Sequence, residues 1–216
     1  MCDDNLELVK RGAVIYTWGN VSGISSDGKY MVIKPSGVEY DKMSPDDMVV
    51  VDIESGLRVE GKWNPSSDTK THLALYRKFK SIKGIVHTHS VNAVAFAQAG
   101  IAIPALGTTH ADYFYGGIPC TRELTKQEVM EDYEANTGKV IIETIDNGGY
   151  DPMAIPGIAV KNHGPFAWKS PENAVYNAAV LEKVAEMDLK TLALNPKAEM
   201  ETYILDKNYM RKHGQC

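Results

Sequence analysis

The chain has 216 residues, 44% hydrophobic and 24% charged, a balance that excludes disordered and fibrous classes and fits a folded globular protein. Its net charge of −5 and pI near 5.7 argue against the basic surface that a nucleic-acid or anionic-membrane partner needs. Cys2, Cys120 and Cys216 lack C-x-x-C spacing, so neither a disulfide framework nor a cysteine-held zinc is indicated.

The opening MCDDNLELVK is acidic where a secretion signal is basic, and no run approaches the ~18 apolar residues of a membrane span. A soluble, cytoplasmic protein is expected, with residues 1–216 forming a single domain. The first third alternates apolar runs with turn residues. AVIYTW (13–18), YMVIK (30–34) and MVVVDI (48–53) read as strands of antiparallel hairpins, with a Ser-Ser-Asp-Gly turn at 25–28. Ser44-Pro45-Asp46-Asp47 predicts a short helical turn, serine capping and proline in the first helical position.

Leu73, Tyr76 and Phe79 recur at helical spacing over 71–79 and lead into GIVHTHS (84–90), an apolar strand ending in His87 and His89. Side chains two apart on a strand face the same way, so these imidazoles stand together. They could be two corners of a zinc tetrahedron, or two satisfied polar groups at a strand end. Ser90 is expected to cap a helix over VNAVAFAQA. Residues 122–137 read as a polar-faced helix, KVIIETI (139–145) as a strand, and GIAVKNHG (157–164) as a strand ending in His163. Ser170-Pro171-Glu172 starts a long helix whose apolar face runs from Ala174 to Leu189, and Asn195-Pro196 breaks it before a last helix.

His163 supplies a third imidazole at a strand end. Asp68, before the helix over 71–79, reads as an N-cap and as an acidic neighbour of that cluster, two roles that need not exclude each other. His72 lies inside a helix and His213 in a charged tail, both poorer ligands on spacing, and His110 is undecided. GNVSG (19–23), KPSG (34–37) and PSSD (65–68) are turns whose backbone N–H groups could cradle an anion, with Lys34 adding charge.

WGNVSG, VIKPSGVEYDKM, PSSDTKTHLALY, GIVHTHS, AQAG, GTTHADYFYG, IPCTRELT and HGPFAW together resemble the L-ribulose-5-phosphate 4-epimerases of the class II aldolase superfamily, from about Asn5 to Gly214. The resemblance implies an α/β fold with a central, mainly antiparallel sheet flanked by helices on both faces. It also implies a homotetramer with active sites at subunit interfaces, one zinc ion per subunit, a sugar-phosphate substrate, and a place in arabinose or ascorbate catabolism. Carried over residue by residue, His87, His89 and His163 match the zinc-binding histidines and Asp68 the carboxylate beside the metal. Gly19, Asn20, Ser36, Gly37, Ser66 and Ser67 match the phosphate contacts, with Lys34 alongside, and Asp112 matches an acid/base that reaches a neighbouring subunit's zinc.

The chemistry so implied is inversion at C4 of L-ribulose 5-phosphate to give D-xylulose 5-phosphate. The C4 proton is not adjacent to the carbonyl, so the family is thought to break C3–C4 instead, giving a dihydroxyacetone enediolate and glycolaldehyde phosphate that turns and re-adds. The family also places a catalytic tyrosine after the segment matching Arg211–Gly214, where this sequence has Gln215 and Cys216, and usually a histidine at Asn208. Tyr203 and Tyr209 do not match that tyrosine. The rival readings are a superfamily aldolase of the L-fuculose-1-phosphate type, whose acidic position is a glutamate, and a zinc or sugar-phosphate binding protein without turnover.

Overall fold

The computed structural model describes residues 1–214, so the positions of Gln215 and Cys216 lie outside the described residues. Seven strands form one sheet in the order β4-β3-β2-β1-β5-β7-β6, comprising β1 (Asn20–Ile24), β2 (Tyr30–Ile33), β3 (Val49–Asp52), β4 (Arg58–Glu60), β5 (Gly84–His87), β6 (Gly157–Ala159) and β7 (Pro165–Lys169). Every neighbouring pair is antiparallel. Among the described residues seven α-helices accompany the sheet: α1 (Cys2–Lys10), α2 (Thr69–Lys78), α3 (Val91–Ala99), α4 (Thr108–Ala111), α5 (Lys126–Gly148), α6 (Pro171–Leu194) and α7 (Thr202–His213).

Alternation along the strands sorts side chains into two cores. On β5, Ile85 joins Leu73, Tyr76, Ile141, Phe166 and Trp168 beneath α2 and α5, whereas Val86 joins Leu8, Val21, Ala167, Ala174 and Ala178 beneath α1 and α6. Each such aliphatic side chain, fully buried, contributes about 1.5–3 kcal/mol. The expected α/β class, an antiparallel sheet with helices on both faces, is what forms. A third cluster, with Phe96, Phe114, Leu181 and Val184, packs α3 and the α4 region onto α6. The α6 face is close to the sheet because Gly84 allows it: a Cβ there would lie 2.3 Å from the Pro171 nitrogen.

Several local expectations hold. Ser170 Oγ accepts from the Asn173 N–H at 3.3 Å, with Pro171 in the first helical position. Ser44 N–H donates to Asp47 Oδ2 at 2.9 Å, closing the helical turn at 45–47. Ser90 does sit at the start of α3, but its side chain makes no cap; Glu182 of α6 does so, accepting from the Asn92 and Ala93 N–H groups at 3.0 Å each.

Three expectations are corrected. KVIIETI is not a strand but the second half of α5, which begins at a Thr125–Glu128 capping box and bends at Asp132. Its β-branched residues favour a strand locally, yet Ile141 and Ile145, four apart, both reach the core at helical spacing. Residues 13–18 form a loop in which Ile15, Tyr16 and Trp18 are exposed, and β1 forms instead through GNVSG, read as a turn. The strand ending in His163 stops at Ala159; His163 sits in the turn before β7.

One buried charge is left over. Asp188 is only 4% exposed and its Oδ2 lacks a hydrogen-bond partner among the described residues, and burial pushes its pKa up to about 7. It lines a small cavity with Thr109, His110, Val184, Met187 and Thr191. A folded-state pKa above the unfolded value of 3.8 means that stability falls as pH rises from about 4 to about 7. Asp188→Asn is therefore expected to raise stability by about 1–3 kcal/mol at pH 8 and to change it little at pH 4, read from denaturant midpoints at the two pH values.

Candidate active site

Three adjacent interior strands deliver the candidate site to one end of the sheet. Asn20 opens β1 opposite His87, which closes β5, and His87 is in turn opposite Phe166 of β7. Beyond the strand end, His89 turns its ring to 4.8 Å from that of His87. His163 is brought in by a tight turn, with its N–H on the Val160 carbonyl at 3.0 Å and Asn162 in the left-handed region at φ 61°. Its ring centroid lies 4.5 Å from His87 and 5.1 Å from His89. Gly19 is required here: at φ 100°, a Cβ would meet the His87 carbonyl oxygen at 2.7 Å.

One potential ligand atom from each of His87, His89 and His163 lies within 4.8 Å of the others. His87 Nδ1 is 3.1 Å from the Pro165 carbonyl oxygen, so it carries the proton, and Nε2 is left as a bare lone pair. That Nε2 is 3.1 Å from His89 Nε2. Two nitrogens bound at 2.0–2.1 Å on a tetrahedral zinc stand about 3.3 Å apart, so this donor set fits a divalent metal. Burial, ahead of other causes, lowers the pKa of all three imidazoles, His163 to about 3, and holds them in the neutral form that ligates.

Asp68 occupies the N-cap position of α2 without capping it. Its Oδ2 instead accepts from Asn20 Nδ2 at 2.7 Å, so the carboxylate is held by β1 and not by the α2 backbone. Burial raises its pKa, the neighbouring imidazoles of His87, His72 and His163 and the Asn20 hydrogen bond lower it, and the net shift is downward.

A cavity of about 280 Å³ opens beside the histidines. Gly19, Asn20, Lys34, Ser36, Gly37, Ser66, Ser67 and Asp68 line it together with His89 and His163, so the start of β1 and the turns at 34–37 and 65–68 converge from separate parts of the chain. Lys34 is 2% exposed; its ammonium donates to the Val38 carbonyl at 2.8 Å and lies 4.7 Å from the Tyr40 ring, and burial lowers its pKa. Tyr133 and Glu134 also line the cavity, delivered by the bend at Asp132 in α5. Sequence reasoning missed both, because nothing in a helix-forming stretch marks a bend that turns two polar residues inward.

Asp112 is elsewhere. It does not line this cavity; its carboxylate accepts from Arg211 Nη2 of α7 at 3.0 and 3.3 Å, and its carbonyl oxygen lies 2.8 Å from His213 Nε2. His110 is also remote from the histidine cluster, buried with Nε2 2.7 Å from the Gly116 carbonyl oxygen. Asn208 Nδ2 donates within α7, to the Ile204 carbonyl at 2.8 Å. No helix among the described residues is long and apolar enough to cross a membrane.

An antiparallel αβα sheet thus carries, at one end of its central strands, three imidazoles that could hold a divalent metal beside a cavity lined by serine, glycine and lysine. A sequence profile described as the class II aldolase and adducin N-terminal domain matches residues 1–189. The fold is shared with L-fuculose 1-phosphate aldolase, at a TM-score of 0.79 and 21% identity over 97% of this chain and 92% of that one. It is shared as well with the l-fuculose-1-phosphate aldolase of Thermus thermophilus, at a TM-score of 0.67 and 22% identity over 92% and 95%. The chain belongs to the class II aldolase family. Within it, the L-ribulose-5-phosphate 4-epimerase UlaF of Salmonella paratyphi B is 56% identical over 98% of this chain and 92% of its own length, and that of Salmonella typhi is equally similar.

Proposed function

We propose that this chain is an isomerase, an L-ribulose-5-phosphate 4-epimerase that interconverts L-ribulose 5-phosphate and D-xylulose 5-phosphate with zinc held by His87, His89 and His163. The observation that supports the reading is that His89 and His163, two of the three clustered imidazoles, line one cavity with the candidate phosphate contacts. Bound there, the metal would act as a Lewis acid, stabilising the negative charge that develops on substrate oxygen as C3–C4 breaks.

The chain's own residues do the rest. Ser36, Gly37, Ser66 and Ser67 present hydroxyl and backbone donors to the phosphate, and Lys34 supplies charge at the same turn. Inversion needs the phosphate-bearing fragment to turn and re-add without escaping, so the cradle must hold it throughout. Asn20 holds the Asp68 carboxylate at the metal side of the cavity. Asp112 is the group assigned to proton transfer at the C4 hydroxyl. Its position outside the cavity of its own chain supports its use by a neighbouring copy, as in a homotetramer with sites between subunits.

A coupled assay of the two pentulose phosphates, with and without a chelator, tests this. Interconversion that stops on chelation and returns with zinc is expected, and activity indifferent to metal removal overturns the reading. Free glycolaldehyde phosphate as the main product would favour the aldolase reading, which the fold neighbours support but the aspartate at position 68 does not. Metal binding without turnover would favour a binding protein. Lys34→Met is expected to raise KM about 10- to 100-fold with metal content unchanged, since a hydrogen bond to a charged group contributes about 1.5–3 kcal/mol. Steady-state kinetics on both substrates checks it.

A further inference from the structure

Behind the histidine cluster lies a polar row that the proposed reaction does not use. His72 of α2 is fully buried; its Nδ1 is 2.7 Å from Ser22 Oγ, which is 2.8 Å from the Tyr76 hydroxyl, while its Nε2 has no partner among the described residues. The positions of the protons follow from counting. If Nδ1 donated to Ser22 and Ser22 to Tyr76, two buried groups would go unmet, the Tyr76 proton and the Nε2 lone pair. If Tyr76 donates to Ser22 and Ser22 to Nδ1, each hydroxyl is satisfied and a single orphan remains, an N–H on Nε2.

A buried N–H requires an acceptor. Groups that reach the ring include Phe166, whose ring is edge-on at 5.9 Å, His87, whose Nδ1 is already committed to Pro165, and Asp68, one helical turn before His72 on α2. The His72 N–H of the backbone already bonds the Asp68 carbonyl at 3.1 Å, so the two side chains leave the helix on the same side. Asp68 Oδ2 is taken by Asn20 and Ser66, and Oδ1 has no hydrogen bond among the described residues. Asn20 and Ser22 are alternate residues on one face of β1, so a single strand face supports both the direct bond to Asp68 and the row behind it.

We propose that His72 is a positioning residue for Asp68: the Tyr76–Ser22–His72 row fixes the imidazole as its Nε2–H tautomer and aims that donor at the Asp68 carboxylate when the metal is bound. The inference rests on the reading of Asp68 and the three histidines as a metal site. Neither His72 nor Ser22 touches substrate or metal in this role. Outer partners of this kind typically change metal affinity 10- to 100-fold when lost.

Histidine ¹⁵N NMR of the metal-free wild-type protein tests the tautomer directly, whatever the chain catalyses. His72 protonated on Nε2 with Nδ1 as acceptor is expected, and protonation on Nδ1 overturns the proposal. Zinc affinity is then measured by competition with a chromophoric chelator on variants confirmed to be folded. Ser22→Ala and His72→Leu are expected to weaken binding about tenfold or more, whereas His72→Gln, whose amide N–H can reach the place of Nε2–H, stays within about threefold of wild type. Wild-type affinity in His72→Leu, or a loss in His72→Gln as large as in His72→Leu, overturns the positioning role. A wild-type chain that binds no zinc at all instead removes the metal-site reading, and the tautomer result stands apart from it.

Discussion

His163→Asn is expected to abolish metal retention and to lower turnover by at least two to three orders of magnitude without unfolding the chain. The argument begins with the turn between β6 and β7, which exists to carry this side chain: Val160 N–H donates to the Gly164 carbonyl and His163 N–H to the Val160 carbonyl, both at 3.0 Å. Those bonds are backbone bonds, and asparagine leaves them intact. The buried His163 Nδ1 has no hydrogen-bond partner among the described residues, so removing the ring breaks no hydrogen bond of the apo fold and gives up only its packing against the His87, His89, Tyr133 and Phe166 rings. What is lost is one of the three nitrogens that the described residues gather within 4.8 Å of one another. Loss of an outer partner alone costs about 10- to 100-fold in affinity, and loss of a direct ligand should exceed that. Elemental analysis after gel filtration, set beside circular dichroism and the coupled assay, measures all three quantities. Full activity in a metal-free variant would sink the assignment.

Asp112→Asn carries the second large effect, of the opposite pattern. A positioned acid/base contributes about 10²–10⁴-fold, and asparagine keeps the shape and one acceptor while losing the capacity to take a proton. The surviving carbonyl oxygen can still accept from Arg211, which now bonds the carboxylate at 3.0 and 3.3 Å, so the side chain should stay where it is. Metal content is expected to be that of the wild type, because Asp112 lies outside the histidine cavity. A kcat loss of that size with zinc at full occupancy supports the proposal. Loss of zinc from this variant would mean that its role is misplaced.

Much of this site could be read in the sequence because its parts are local. His87 and His89 are two apart at a strand end, and the cradle turns are short runs of glycine, serine and proline whose chemistry survives without neighbours. Asp68 was ambiguous for the same reason: an aspartate before a helix has a local use, and only the fold puts Asn20 within 2.7 Å of it. Where tertiary packing overrode local preference, sequence reading failed. Ile141 and Ile145 look like strand residues until α2 is packed against them, and AVIYTW looks like a strand although no partner strand takes it up. Tyr133 and Glu134 depend on a backbone bend at Asp132, and His72 on a contact with Ser22 across 50 positions of chain.

The pairing of Asp112 with α7, away from the histidines of its own chain, makes the proposed enzyme divisible. Under the interface assignment, each polypeptide donates its histidines to one reaction chamber and its Asp112 to another. Two inactive proteins, His163→Asn and Asp112→Asn, then carry complementary lesions. Unfolded together at equal amounts and reassembled, they should yield intact chambers at about a quarter of positions, since each such chamber needs a sound histidine set and a sound neighbouring aspartate, each present about half the time. Activity would rise from nearly nothing to roughly that fraction. A mixture as dead as its components would instead mean that Asp112 serves no neighbour.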